Sequence, residues 1–193
     1  HDVAGLAALL KHRQPAWTPD MIKSALMTTA SQTTTLGNPI AGNPFAYGAG
    51  WVNPNSAINP GLVYRLRPQD SVAFLCGQGL MTGSVCKVRN ITVHELNVPS
   101  VAVSQLAGSQ TIKRSVQNVT NKTAMYTASI EGLAGFDVVV TPNKITVAPG
   151  ATASFTVKFT RTTATLNAYT FGALKWTSGK YIVRSPIALR PVP

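Results

Sequence analysis

The sequence predicts two unlike regions: a segment of helices and loops, then an all-β antiparallel sandwich. Three observations carry that reading. Apolar residues recur at helical spacing between Val3 and Thr29. A long stretch rich in Gly, Pro, Asn and Thr follows, from Ser31 to Pro60, and reads as loop. From Asn97 onward the apolar period changes to two, with turn residues between short segments.

In the first helix Val3, Leu6, Ala7 and Leu10 fall at i, i+3, i+4 and i+7, and small residues beside them leave room for a close neighbour. Lys11, His12 and Arg13 suit the negative helix end, and Gln14-Pro15 stops it. The second helix is better marked. Thr18 is an N-cap residue, Pro19 suits the first turn and Asp20 complements the positive end. Ile22, Ala25, Leu26 and Thr29 form its predicted inner stripe. Residues 1–64 make up this first unit.

Residues 65–90 read as a connector. Pro68-Gln69-Asp70 starts a short helix running to Leu75; Cys76, a Gly-rich turn and Cys86 follow. The two cysteines are either buried thiols or a disulfide closing a short loop. Asn90, Asn118 and Asn121 each open an Asn-x-Thr sequon, a pattern that also arises by chance where Asn and Thr are common.

Residues 91–193 form the strand-rich unit. Ala153, Phe155, Val157 and Phe159 alternate with polar residues, and Ala124, Tyr126, Ala128 and Ile130 alternate with Met125, Thr127 and Ser129. Ile112, Arg114, Val116 and Asn118 make a weaker alternation. Pro149-Gly150 marks a turn, and Ser178-Gly179 separates the arms of a hairpin carrying Trp176, a core residue by its place in the pattern. The count comes to about seven strands, as in an antiparallel sandwich.

Composition narrows the function classes. Hydrophobic residues at 45% and charged residues at 12% exclude a charge-rich disordered chain. No apolar stretch is long enough to span a membrane, so no membrane partner is expected. Seventeen basic residues against six acids give a net charge of +11, but they are scattered. The pairs Lys11/Arg13, Arg65/Arg67, Lys87/Arg89 and Lys113/Arg114 come with no recognition helix or aromatic platform, so no nucleic-acid partner is expected. His1, His12 and His94 lack ligand spacing, and the acids are too dispersed for a calcium loop. No metal and no cofactor are expected. His1 and Asp2 are adjacent on a helix and diverge, so no nucleophile–base–orienter set forms within the chain. The opening at His1, directly inside a helical pattern, reads as a piece of a longer chain.

Longer strings carry a resemblance. His1-Asp2-Val3-Ala4-Gly5-Leu6-Ala7-Ala8-Leu9-Leu10 resembles the helix that follows the catalytic serine in subtilisin-like proteases. The run from Trp17 through Ala30 is similar to the next helix of that family in its plant form. Tyr47-Gly48-Ala49-Gly50-Trp51-Val52-Asn53-Pro54 and Asn59-Pro60-Gly61-Leu62-Val63-Tyr64 extend the pattern. Leu96-Asn97-Val98-Pro99-Ser100, Lys113 to Val119, Phe171 to Trp176 and Val183 to Ile187 resemble the family's fibronectin-III-like C-terminal domain. Departures are His1-Asp2 for the usual Pro-His, Trp51 for His or Gln, Asn59 and Arg65 for acids, and Val98 for Tyr.

The resemblance implies an α/β fragment, the C-terminal part of a subtilisin-like catalytic domain, followed by a fibronectin-III-like sandwich. The nucleophilic serine would stand four positions before His1, and the catalytic Asp and His farther upstream, so no catalytic residue lies in this chain. It further implies a Cys76–Cys86 disulfide and an extracellular protein of the apoplast or cell wall, which would make Asn90 and one of Asn118 and Asn121 glycan acceptors. Its partners would be polypeptide substrates of the parent enzyme, with a possible homodimer through the β-sandwich. The alternative is a non-catalytic module for self-association or control of substrate access.

Overall fold

The computed structural model describes residues 2–33, 38, 49–67, 70, 75–76, 82–83 and 93–193. Among the described residues before the sandwich are the helices α1 (Asp2–Arg13), α2 (Pro19–Thr28) and the single-turn α3 (Pro54–Ala57). The strands are β1 (Leu62–Val63), β2 (Val101–Ala107), β3 (Ser109–Asn118), β4 (Ala124–Gly132), β5 (Phe136–Thr141), β6 (Lys144–Val147), β7 (Thr152–Arg161), β8 (Thr170–Ser178) and β9 (Tyr181–Val192). They form a four-stranded sheet ordered β1-β3-β7-β5 and a five-stranded sheet ordered β2-β9-β8-β4-β6.

The two sheets close over one core, and the inward residues are the alternating ones of the sequence. Phe155, Val157 and Phe159 of β7 face Trp176 of β8 and Val183, Ile187 and Leu189 of β9. Trp176 is fully buried and meets Phe155 edge-on, with ring centroids 5.0 Å apart and planes at 70°, the geometry that the aromatic quadrupole favours. The turn at Pro149-Gly150 and the hairpin after Ser178 stand where predicted; Gly150 has φ +74°, which a side-chain-bearing residue adopts only with strain.

Two features depart from the predicted sandwich. Eight strands, not seven, follow residue 100, and β1 adds a ninth. The sandwich is also not wholly antiparallel, since β2 runs parallel to β9, Val101 opposite Ile187 and Val103 opposite Leu189. Parallel neighbours need a long crossover, and here the whole intervening sandwich supplies it, a relation that local periodicity does not encode.

In the weak alternation of β3 all four predicted residues do point inward: Ile112, Arg114, Val116 and Asn118 are each at most 2% exposed. The two polar members are saturated by main-chain groups. Arg114 donates to the carbonyls of His94, Val98, Ser100 and Lys113. Burial is the first cause that pushes its pKa down to about 10, so it stays charged at neutral pH. Asn118 donates from Nδ2 to the Lys122 and Val147 carbonyls, and its Oδ1 accepts from the Thr120 N–H and hydroxyl. Buried polar groups persist only when paired in this way.

The helical region has its own smaller core of Leu10, Trp17, Met21, Ile22, Ala25, Ala57 and Val63. Lys11 reaches past the end of α1 to the carbonyls of Pro15 and Trp17, at 2.6 and 2.8 Å, and so fixes the α1–α2 turn. Three expectations change here. Val3, predicted on the buried stripe, is 53% exposed. The buried face of α2 is Met21, Ile22, Ser24, Ala25 and Thr28, rotated from the predicted Ile22, Ala25, Leu26 and Thr29, because the polar Ser24 and Thr28 find partners inside. Thr18 stands at the N-cap, yet its side chain makes no capping bond and donates to the Asp20 carboxylate instead.

Candidate functional site

The residues that join the two regions begin at β1. Successive side chains of a strand point to opposite faces. Leu62 and Tyr64 enter the sandwich core while Val63 between them enters the helical core. One edge of this strand pairs with β3, Leu62 opposite Asn118 and Val63 opposite Gln117. The other edge is held by helix side chains rather than by a strand. Ser24 Oγ accepts from the Tyr64 N–H at 2.8 Å, and Asp20 Oδ2 accepts from the Leu66 N–H at 2.8 Å. Residues 20 and 24 lie one turn apart on α2, and residues 64 and 66 point the same way along an extended chain. Two helix acceptors therefore satisfy two alternate amides.

Tyr64 extends the joint inward. Its hydroxyl accepts from Ser185 Oγ of β9 at 2.9 Å, and burial, first, pushes its pKa up to about 12. Gly61, at φ +84°, lets the chain pass so close to Tyr126 and Tyr181 that a Cβ would collide with both. Asn97 ties the outgoing chain down: Nδ2 donates to the carbonyls of Arg65 and Ser115, and Oδ1 accepts from the Ser115 N–H. Arg67 then forms a bidentate pair with the buried Asp70 and donates to the Glu95 carbonyl. The expected border at residue 64 comes directly after the strand that joins the two regions. Sequence reasoning missed Asp20, Ser24 and Asn97 as structural polar groups and placed Arg114 inward without its carbonyl partners; the string Leu96 to Ser100 was the one signal that singled out Asn97.

The structure divides the other predicted residues. Cys76 is disulfide-bonded. Cys86 and Asn90 lie outside the described residues, as do His1 and most of the predicted 70–75 helix. Asn121 is exposed. Asn118 is fully buried with both Nδ2 hydrogens donated, and a glycan there would displace one of those bonds. His12 is exposed and His94 sits in the 3-10 turn Val93–Glu95, so these two are not brought together.

Two concavities flank the joint. An apolar groove of about 530 Å³ runs between α1 and α2, lined by Val3, Ala7, Ile22, Leu26 and Met27 with Lys11, Pro19 and Lys23. A polar cleft of about 540 Å³ opens between the helical region and the outer face of β8–β9. No histidine is among the described residues that line either one.

A subtilase family model matches residues 2–50 and a fibronectin type-III domain model matches residues 95–189. The chain is 36% identical over 206 residues to the subtilisin-like protease SBT5.3 of Arabidopsis thaliana, covering 97% of this chain and 27% of that protein. It is 36% identical over 204 residues to the subtilisin-like serine-protease S of Lotus japonicus, with coverages of 97% and 27%. The subtilisin-like protease Glyma18g48580 of Glycine max is 37% identical over 206 residues, with coverages of 97% and 26%. The chain belongs to the plant-type subtilases, and it spans about a quarter of the length of the curated relatives it matches. Among solved structures, a FixG-related protein from Vibrio parahaemolyticus aligns at TM-score 0.38 and 17% identity over 43% of this chain and 78% of that one, too loosely to add to the argument.

Proposed function

We propose that this chain is the part of a secreted subtilisin-like serine endopeptidase that carries the helix after the nucleophile and the C-terminal sandwich. The observation that carries the reading is identity of 36–37% to plant subtilases across 97% of the chain. In the parent, a serine four positions before His1 attacks the scissile carbonyl, a histidine transfers the proton and an aspartate orients the histidine. The role left to these residues is support: α1 continues from the nucleophile, α1 packs on α2, and α2 is stapled through Asp20 and Ser24 to the sandwich. Nucleophile placement within a fraction of an ångström depends on such backing.

The chain alone, without triad or oxyanion donors, does not hydrolyse peptides. The test is labelling with a fluorophosphonate probe. The full-length parent reacts stoichiometrically, and residues 1–193 do not. Labelling of Ser24, Ser31 or any other serine in the isolated chain would overturn the reading. A secretory history accords with the disulfide at Cys76. Material from a eukaryotic secretory host should carry a Cys76–Cys86 bridge and glycans on Asn90 and Asn121 and none on Asn118, as peptide mass spectrometry would read.

A further inference from the structure

The polar cleft between the helical region and the sandwich is built around an unusual charge arrangement. Lys175 of β8 lies directly opposite Arg184 of β9 in the register, and both point to the outer face. Like charges facing each other across two strands are destabilising. Glu131 of β4 relieves this only in part: Oε2 meets Lys175 at 3.6 Å and Oε1 meets Arg184 at 3.4 Å. Both are at the long end for charge-assisted contacts. Arg184 Nε is buried and has no acceptor. Lys180, also on the cleft wall, lies over the Tyr181 ring and has no acidic partner among the described residues. Three cations and one carboxylate therefore line the cleft.

The opposite wall comes from the helical region and is polar and uncharged, with Asn55 and Asn59 among its groups. The cleft's volume, about 540 Å³, is that of a small-ligand site, and such sites favour domain junctions. We propose that this cleft binds a small polar ligand bearing two or more carboxylates, either a free tricarboxylate or a short acidic peptide. One ligand carboxylate bridges the Arg184 guanidinium edge and Lys175, where Glu131 now reaches them; a second reaches Lys180. Glu131 competes for the same cations, so it sets the affinity from below. This site is independent of the catalytic reading, since none of its groups belongs to the family's triad.

The experiment is titration of the full chain with citrate and, separately, with a capped tetraglutamate peptide, at constant ionic strength held with NaCl, followed by calorimetry and by the amide shifts of residues 175–184. Saturable binding of either probe, with a capped tetraglutamine peptide silent, supports the proposal, and the better probe identifies the source. Lys175→Met should weaken that binding about tenfold or more, as loss of a partly desolvated charge pair does. Glu131→Gln should tighten it about threefold or more, because it removes the internal competitor. Both positions are partly exposed, at 35% and 46%, so both variants should fold. Arg184→Met, checked for folding by near-UV circular dichroism, should abolish binding. Absence of saturable binding to either probe overturns the proposal, as does an unchanged or weakened affinity in Glu131→Gln.

Discussion

The two regions of this molecule bury their apolar residues to very different degrees of completion. The sandwich closes on itself: Leu106, Phe159, Trp176, Val183 and Leu189 are fully buried in its core. The helical region is finished on one side only. Leu10 and Ala25 are fully buried against Trp17 and Met21, yet Val3, on the wall of an apolar groove, and Leu9 stand open at 53% and 42%. Burying a side chain of this size contributes about 1.5–3 kcal/mol, and the open face forgoes that. Cohesion within a fold is thus separable from completeness. The helices hold their place here through the joint with β1.

The contrast breaks most sharply at Trp176. Trp176→Ala should cost about 3–5 kcal/mol in denaturant unfolding, the range for a buried aromatic replaced by a small residue. The same change at exposed Val3, Val3→Ala, should cost under about 0.5 kcal/mol. Next in size is Arg114→Met, which strands the carbonyls of His94, Val98 and Ser100 and should cost about 2–3 kcal/mol, the range for bonds to a charged donor. Ser24→Ala leaves the buried Tyr64 N–H without its acceptor. It should cost about 1–2 kcal/mol and speed exchange of the Tyr64 amide while the β7 and β8 amides are unchanged.

Tyr126→Phe sharpens the comparison at its smallest scale. The Tyr126 hydroxyl is buried without a partner, and burial, first, raises its pKa to about 12. Removing it should be neutral or slightly stabilising at pH 7. Between pH 10 and pH 12 the unfolded phenol ionises while the folded one keeps its proton, so the unfolded state binds fewer protons and stability falls as pH rises. Tyr64 acts in the same sense, and the lowered pKa of Arg114 acts in the opposite one. Tyr126→Phe should therefore lose less stability across that window than the parent chain, as unfolding curves at pH 8 and 11 would show.

Much of the sandwich was legible because its strands are half-buried: β7 alternates strictly, β4 does so but for Met125, and Trp176 falls on an inward position of a hairpin arm. The helices were legible in place but not in rotation. Ser24 and Thr28 look like surface residues, and only the Tyr64 amide and the Ser24 carbonyl explain their burial. β1 was invisible, since two residues carry no period, and its role rests on partners 54 and 56 positions away. Asn118 read as a glycan acceptor because the sequon is local, whereas the carbonyls that consume its amide come from Lys122 and from β6.

The most direct test of the contrast is hydrogen–deuterium exchange on the intact chain. Amides in β3, β7, β8 and β9 should exchange only through global opening. Those of α1 should exchange about a hundredfold faster or more, with α2 in between because Asp20 and Ser24 hold it. Exchange in α1 as slow as in β8 would contradict the difference, and would mean that the helical region is as complete within these residues as the sandwich.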